Sequence, residues 1–323
     1  TGGNNVAIGR DALYTNTTGA SNVALGPNAL QYNTTGSGNA AFGNNSLRLN
    51  TTGFYNTGTG RYSLPVNTTG TQNTANGMNT LFSNTTGNYN VAVGASALQN
   101  NTTVSNLTAV GYNALLSNTA GTSSTAVGYQ ALRGNTTGTQ NTAVGSGSLL
   151  ASTTASSNAA FGYFSLTANT TGASNTAMGH RSLRSNTIGA DNVAVGYSAL
   201  YSNTASQLVA VGSSALYANT TGTVNTAVGF HSLLNNTTGS TNSAFGYYAL
   251  RNNTTGGQNN AVGYASLQNN TTGQKNTSLG SYALFTNTTV SNLTAIGHQA
   301  LYLNTTGTGN VASGYMALYT NTT

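Results

Sequence analysis

The chain repeats itself every 17 residues, and that period decides what it can fold into. Aligning the Gly that follows N-x-A-x gives Gly9, Gly26, Gly43 and onward to Gly314, nineteen copies with one 16-residue step between Gly196 and Gly212. With the unit begun at Asn5, the consensus reads N-[TV]-A-[VIF]-G-x-x-[AS]-L-x-x-N-T-T-G-x-x. Three positions never change across the nineteen copies. They are Gly at position five (Gly9, Gly26), Leu at nine (Leu13, Leu30, Leu47, Leu149, Leu318) and Thr at thirteen (Thr17, Thr34, through Thr322). Position three is Ala in seventeen copies (Ala7, Ala24), Gly58 and Ser278 being the exceptions. Position twelve is Asn in eighteen (Asn16, Asn33), with Ser152 the exception. Positions six, seven, ten, eleven, sixteen and seventeen vary freely.

Seventeen residues are too few for a helix-turn-helix unit, which needs 33 or more. β-Branched residues at positions two and four favour a strand. Gly at five and fifteen and Asn at twelve are expected to supply the φ > 0 or tight-turn positions of corners. The pattern therefore predicts an all-β fold, a β-solenoid (β-roll) of about nineteen coils with one repeat per coil. It is expected to run as a single continuous domain over residues 1–323, roughly 90 Å long at ~4.8 Å per coil. Stacking places Leu on Leu, Gly on Gly, Ala on Ala and Asn on Asn, the last as an amide ladder along the axis. Thr1 and Thr323 both fall on position fourteen, the phase expected of a window cut from a longer array or of a unit made to stack head to tail.

A coil with one Leu and one Val inside looks under-cored, and the pattern suggests where further burial comes from. Positions three and four face opposite sides of a strand. Both are restricted, small Ala on one side and usually Val, Ile, Leu or Phe on the other. A strand constrained on both faces is usually buried on both. Either the second face packs against a neighbouring chain, or a corner turns both residues inward. Positions eight and nine pose the same choice.

Composition narrows function. Charged residues are 3% of the chain, against a usual ~25%. A disordered chain would carry more charge and fewer aromatics than the 18 Tyr and 8 Phe present. The net charge of +6 comes from eight scattered basic residues. That is not the clustered footprint of a nucleic-acid binder. No apolar run approaches the ~20 residues that span a membrane. Cys is absent, so stability is expected from repetition rather than disulfides.

Enzyme chemistry is not expected. The acidic residues are Asp11 and Asp191 alone. They lie roughly 50 Å apart along such a solenoid, too far for a pair of catalytic carboxylates. They cannot build an Asp-rich calcium ladder either. His180, His231 and His298 sit in different coils without Cys, which argues against zinc. A Ser-His-Asp triad would require His180 to meet Asp191 in a geometry that their spacing does not imply. No G-x-x-x-x-G-K-[ST] occurs, and no cofactor is expected. Position-six aromatics (Tyr112, Tyr129, Tyr163, Tyr197, Phe230, Tyr247, Tyr264, Tyr315) form an intermittent stripe. It reads either as a sugar-stacking or partner surface, or as ordinary packing of exposed rings between neighbouring strands. Arg48, Arg133, Arg184 and Arg251 at position ten are too sparse for a polyanion groove.

N-T-T also satisfies the N-x-[ST] glycan acceptor pattern. Fifteen copies qualify: Asn16, Asn33, Asn50, Asn67, Asn84, Asn101, Asn135, Asn169, Asn219, Asn236, Asn253, Asn270, Asn287, Asn304 and Asn321. A glycan sheath would solvate an uncharged rod. A stacked amide ladder would equally demand so regular an Asn, and a buried ladder cannot carry sugar.

Three places break the pattern. Thr59 and Asn76 replace the position-four hydrophobe and Pro65 joins them, so a weakened or bulged stretch is expected over 56–82. The 16-residue coil 192–207 is expected to lose a turn residue near Ser206. Leu107, Leu208 and Leu293 replace the leading Asn, two of them after V-S-N at Val104 and Val290, which suggests an altered corner.

The strings N-V-A-I-G-R-D-A (Asn5 to Ala12) and N-V-A-V-G-Y-S-A (Asn192 to Ala199) resemble head repeats of trimeric autotransporter adhesins. The full N-T-A-V-G-x-x-A-L-x-x-N-T-T-G pattern resembles repeats of bacterial and phage proteins with tail-fibre domains. The resemblance covers the whole chain and implies a β-roll, often three-fold, extracellular or at the cell surface, and serving attachment. Adhesin heads of this type commonly use a shorter coil. The expected function is a structural fibre or adhesin segment that self-associates as a homotrimer or as a head-to-tail or lateral fibre. It would meet a surface glycan or receptor, and no nucleic acid. The alternatives are an ice-binding solenoid displaying the Thr17 to Thr322 column and, further off, a polysaccharide-binding β-helix.

Overall fold

A computed structural model describes residues 2–322. Thr1 and Thr323, on which the shared end phase rests, lie outside the described residues. The chain forms two compact units, Thr1–Asn158 and Ala159–Thr323. Each is a β-solenoid in which one 17-residue repeat makes one coil, so the fold class expected from the period is the one adopted. The first unit carries nine three-residue strands, β1 (Val6–Ile8) to β9 (Thr142–Val144). The second carries ten, β10 (Ala159–Phe161) to β19 (Val311–Ser313). Within a unit each strand pairs in parallel with the next, like on like: Val6 with Val23, Ala7 with Ala24, Ile8 with Leu25.

The strand is only one side of the coil, yet axial hydrogen bonds run around the rest as well. In the second coil Val23 N donates to Asn39 O (2.8 Å), Leu30 N to Ser46 O (3.1 Å) and Tyr32 N to Arg48 O (2.9 Å), all in the following coil. Gly26 N, Asn28 N and Gly38 N donate back to Ile8 O, Arg10 O and Ala20 O. The corners of this coil are thus tied above and below, which satisfies backbone groups that a turn would otherwise leave to water.

Corner geometry departs from expectation. Gly at position five does adopt positive φ, from 117° to 145°. The remaining left-handed positions are seven, nine and seventeen, and position nine is the invariant Leu. All nineteen Leu have φ between 46° and 53°. A left-handed Leu costs roughly 1–2 kcal/mol, and full burial of the side chain returns about 1.5–3 kcal/mol. The twist turns Leu30 inward beside Ala29, both with no exposed surface. At positions eight and nine, then, the corner turns both residues inward.

The strand resolves the same choice the other way. Ala at position three faces inward and is fully buried, as at Ala24, Ala92 and Ala126. Positions two and four point outward: Leu25 is 44% exposed, Val262 41% and Leu279 47%. The Val expected in the core is therefore on the surface. What fills the interior with Leu and Ala is asparagine.

Gly at position fifteen is needed for a reason other than φ. A Cβ on Gly36 would stand well inside van der Waals contact of the Gly53 carbonyl in the next coil and of Asn33 Oδ1. The same collision recurs at Gly53, Gly121, Gly239 and Gly256. Asn at position twelve, expected at a left-handed turn, has no positive φ. Its role is the amide.

Candidate functional surfaces

Two Asn columns line the inside of the corner. Asn33 is fully buried. Its Nδ2 donates to Asn16 Oδ1 (2.8 Å) and to Gly36 O three residues on (2.9 Å). From position one, Asn22 Nδ2 donates to that same Gly36 O at 2.9 Å, while Asn22 Oδ1 accepts from Asn39 N at 2.9 Å. Two amides from opposite ends of a coil thus converge on one glycine carbonyl. The pair closes the coil where a disulfide would close a small secreted fold.

The glycan and ladder readings of N-T-T compete for the same atom. Asn33, Asn50, Asn67, Asn84, Asn236, Asn253 and Asn270 are all fully buried. Each spends its Nδ2 on a neighbouring Asn and on a carbonyl. A sugar on Nδ2 would displace one of those bonds and would have to leave a site without solvent contact. Ser152 is too short for the column, and Asn135 Oδ1 and Ser152 Oγ are left without partners.

Thr at position thirteen explains itself in the same corner. Thr51 O accepts from Thr34 N (3.0 Å), Thr35 N (3.2 Å) and Gly36 N (3.2 Å). It also accepts from Thr34 Oγ1 at 3.0 Å. The hydroxyl joins three amides on one oxygen, a bond that Val could not make and that Ser, unbranched at Cβ, would hold less rigidly. Hydroxyls of the Thr17 and Thr34 type are therefore donors to the backbone rather than an array offered to ice.

The outer face divides by coil position. All seven Arg lie at positions six, seven or ten, and aromatic rings crowd the same sector. Tyr112 stacks on Tyr129 (5.6 Å, 17°) in the first unit. In the second, His180 is held between Tyr163 (5.4 Å) and Tyr197 (5.1 Å), and Tyr247 between Phe230 (5.1 Å) and Tyr264 (5.3 Å). The rings cover one another's faces along the axis. This is the packing reading of the stripe, and sugar could stack only where a series ends, as at Ser213 between Tyr197 and Phe230. Arg48, Arg61, Arg184 and Arg251 lie over Tyr rings at 4.7–5.5 Å, and Arg184 Nη1 also donates to the Tyr201 hydroxyl. Burial, and then the Arg251 charge, lowers the His231 pKa, which favours neutral imidazole. The hydrogen bond with Tyr248, followed by burial, raises the Tyr247 pKa.

Asp11 and Asp191 occupy left-handed turn positions, φ 58° and 57°, where Asp is among the better-tolerated residues. Asp11 lies 3.6 Å from the exposed Arg10 guanidinium. His180 sits in its ring stack at position six and Asp191 at the left-handed position seventeen of the same coil, and no hydrogen bond or ion pair joins them. Among the described residues no group of three metal-ligating side chains occurs. No helix there is long and apolar enough to cross a membrane.

The irregular coils behave differently from one another. Through 56–82 the strands β4 (Thr57–Thr59) and β5 (Thr74–Asn76) keep full register, against the expected bulge. The reason is direction: Thr59 and Asn76 are outward residues. The short coil loses its residue between Asn203 and Ala205, because Asn203 Nδ2 reaches Ala205 O only two residues on (2.8 Å). No protein-family model matches the chain, and no curated protein is significantly similar to it in sequence.

Proposed function

We propose that this chain is a structural segment of an extracellular fibre or adhesin stalk, acting by holding its shape and by self-association rather than by catalysis. The observation that carries the reading is the outer strand row. In each unit, positions two and four present Val, Ile, Leu, Met or Phe outward, in register and beside Thr, in every coil except those of β4 and β5, which carry Thr57, Thr59, Thr74 and Asn76 there. Contiguous exposed apolar surface of this kind marks an association face. Its axial repeat is one strand spacing, ~4.8 Å. A second copy of the chain offers the same repeat, whereas a partner without it would fall out of register after a coil or two. The resemblance to adhesin-head and tail-fibre repeats supports the extracellular setting and a lateral, three-fold arrangement.

Sedimentation of the purified chain tests this, with Val110→Lys, Val127→Lys and Val144→Lys combined as the control. The wild type is expected to be oligomeric. The triple variant is expected to be monomeric with an unchanged circular-dichroism spectrum, since these side chains are not part of the core. A wild type that stays monomeric at its highest attainable concentration would overturn the self-association reading.

A further inference from the structure

We infer that the T-V-S-N corners at Val104 and Val290 are one-sided hinges built into the solenoid wall. The two corners lie in different units and share the same local sequence, T-T-V-S-N-L-T-A. Both lose the same bonds.

In a regular coil the position-thirteen Thr donates its N–H and its hydroxyl to the next coil, as Thr85 does to Thr102 O (2.8 and 3.1 Å). Thr102 donates neither to Thr119, and Thr288 donates neither to Thr305. The amide column stops at the same places. Asn118 Nδ2 bonds Gly121 O but not Asn101, and Asn304 Nδ2 bonds Gly307 O but not Asn287. Asn101 Oδ1 and Asn287 Oδ1 are therefore buried without a partner. Ser123 N and Gly309 N also lack the back-bond that Asn106 N makes to Asn88 O (3.1 Å).

The opposite side of the same coils stays closed. Leu98 N donates to Ala114 O (3.0 Å), Asn100 N to Leu116 O (3.1 Å) and Gly111 N to Val93 O (2.7 Å). At the second corner Leu284 N donates to Ala300 O (3.0 Å), Thr286 N to Tyr302 O (3.1 Å) and Gly297 N to Leu279 O (2.8 Å). A full ladder on one side, and on the other only the bonds of Leu107 N to Asn90 Oδ1 and Leu293 N to Asn276 Oδ1 (3.0 Å each), make a wedge.

The cause is Val. Position fifteen elsewhere is Gly or, at Ala155 and Ala205, the smallest side chain, because a Cβ there crowds the next coil's carbonyl. A Val side chain forces that corner away and opens the ladder beyond it. The coupled Leu follows from the same displacement. At position one an Asn amide would have to bond the displaced position-fifteen carbonyl of its own coil, as Asn22 bonds Gly36 O. Leu107 and Leu293 bury no amide and so leave none unpaired.

Hydrogen exchange on the intact chain, resolved to single amides, tests the hinge. Absent bonds alone would make only the unbonded amides, Thr102, Ser123, Thr288 and Gly309 among them, exchange fast. A hinge must also loosen amides that are still bonded. Leu98 and Asn100 are expected to exchange about tenfold faster than their counterparts Leu81 and Ser83. The pair Val104→Gly with Leu107→Asn restores the regular corner. It is expected to bring Leu98, Asn100 and Thr102 to the rates of Leu81, Ser83 and Thr85, leaving the Val290 corner unchanged as an internal reference. Wild-type rates at Leu98 and Asn100 equal to those at Leu81 and Ser83, or no slowing in the restored variant, would overturn the proposal.

Discussion

Residues 56–82 and residues 101–121 both depart from the repeat, and only the second departure interrupts the Thr and Asn columns of the corner. The first brings Thr59, Pro65 and Asn76 into the coil, changes that look severe in a list of residues. Strand register continues through it, and Thr68 N still finds Thr85 O at 2.9 Å. The second changes Gly to Val and Asn to Leu, and the corner opens. What separates them is where the side chain points. Position four looks outward, where polarity and shape are nearly free, and Pro65 at position ten, though buried, keeps the carbonyl that the ladder uses. Positions fifteen and one look along the axis or into the corner, where a single methyl group must displace a neighbouring coil.

The sharpest way to break that comparison is to place a charge on an inward position. Leu149 has no exposed surface and sits in a coil whose Asn column is already interrupted by Ser152. Leu149→Asp leaves a buried carboxylate with no partner and is expected to remove about 3–5 kcal/mol of local stability. Thermal melting checks it. A melt like that of the wild type would mean that the Leu column is not core.

The next largest effect should come from building a hinge where none exists. Gly53→Val repeats the Val104 change in a regular coil, where overpacking is expected to cost about 1–3 kcal/mol locally. Exchange at Thr51 and Thr52 should rise, because both amides now bond Thr68 O. If they stay protected, Val is not what opens the natural corners. Asn50→Ala tests the amide column beside it. It removes donors to Asn33 Oδ1 and Gly53 O inside a fully buried site. The expected loss is about 1–3 kcal/mol. Asn44→Ala on the outer face should stay within about 0.5 kcal/mol. Equal effects at Asn44 and Asn50 would remove the distinction between inner and outer asparagines.

Much of this was legible in the sequence. A 17-residue period with β-branched residues at positions two and four yields the solenoid, the Leu column and the amide ladder without coordinates. The corners were not legible. Nothing in an invariant Leu announces φ near 50°, since left-handed Leu is disfavoured in isolation and becomes tolerable only through burial that the finished coil provides. Gly at position fifteen was rightly marked as constrained, but for backbone freedom rather than for the approach of the next coil, a contact between residues 17 apart. The choice of face for Ala and Val at positions three and four was left open, because a strand pattern restricted on both sides does not say which side is inside. The outer aromatic stripe was visible as a column. That its rings cover one another depends on the axial rise matching a ring-stacking distance.

The smallest expected effect belongs to Pro65. Proline in a ladder normally removes a donor, which is why 56–82 looked weak. At position ten, however, the axial bond uses the carbonyl. Leu49 N donates to Pro65 O at 3.0 Å. In other coils the position-ten N–H turns back to its own coil when it bonds at all, as Arg133 N does to Gln130 O (3.3 Å) and Arg251 N to Tyr248 O (3.2 Å). Proline therefore sits where its missing hydrogen is not needed by a neighbour. Val66 N–H lacks the bond that Ser83 N makes to Gln99 O (3.0 Å), but so do Ala151 N and Asn269 N, which follow Leu150 and Gln268 rather than proline. Pro65→Gln adds a position-ten N–H that can bond within its own coil as Arg133 N does, worth about 0.5–1.5 kcal/mol. It gives up a restriction of the unfolded chain worth about 0.4–1 kcal/mol. The two oppose each other, so the net change is expected to be under about 1 kcal/mol and nearly invisible in a melt. A large loss of stability would mean that the ring itself holds the corner. A large gain would mean that the ladder is strained through 56–82 after all, and that this region belongs with Val104 rather than in contrast to it.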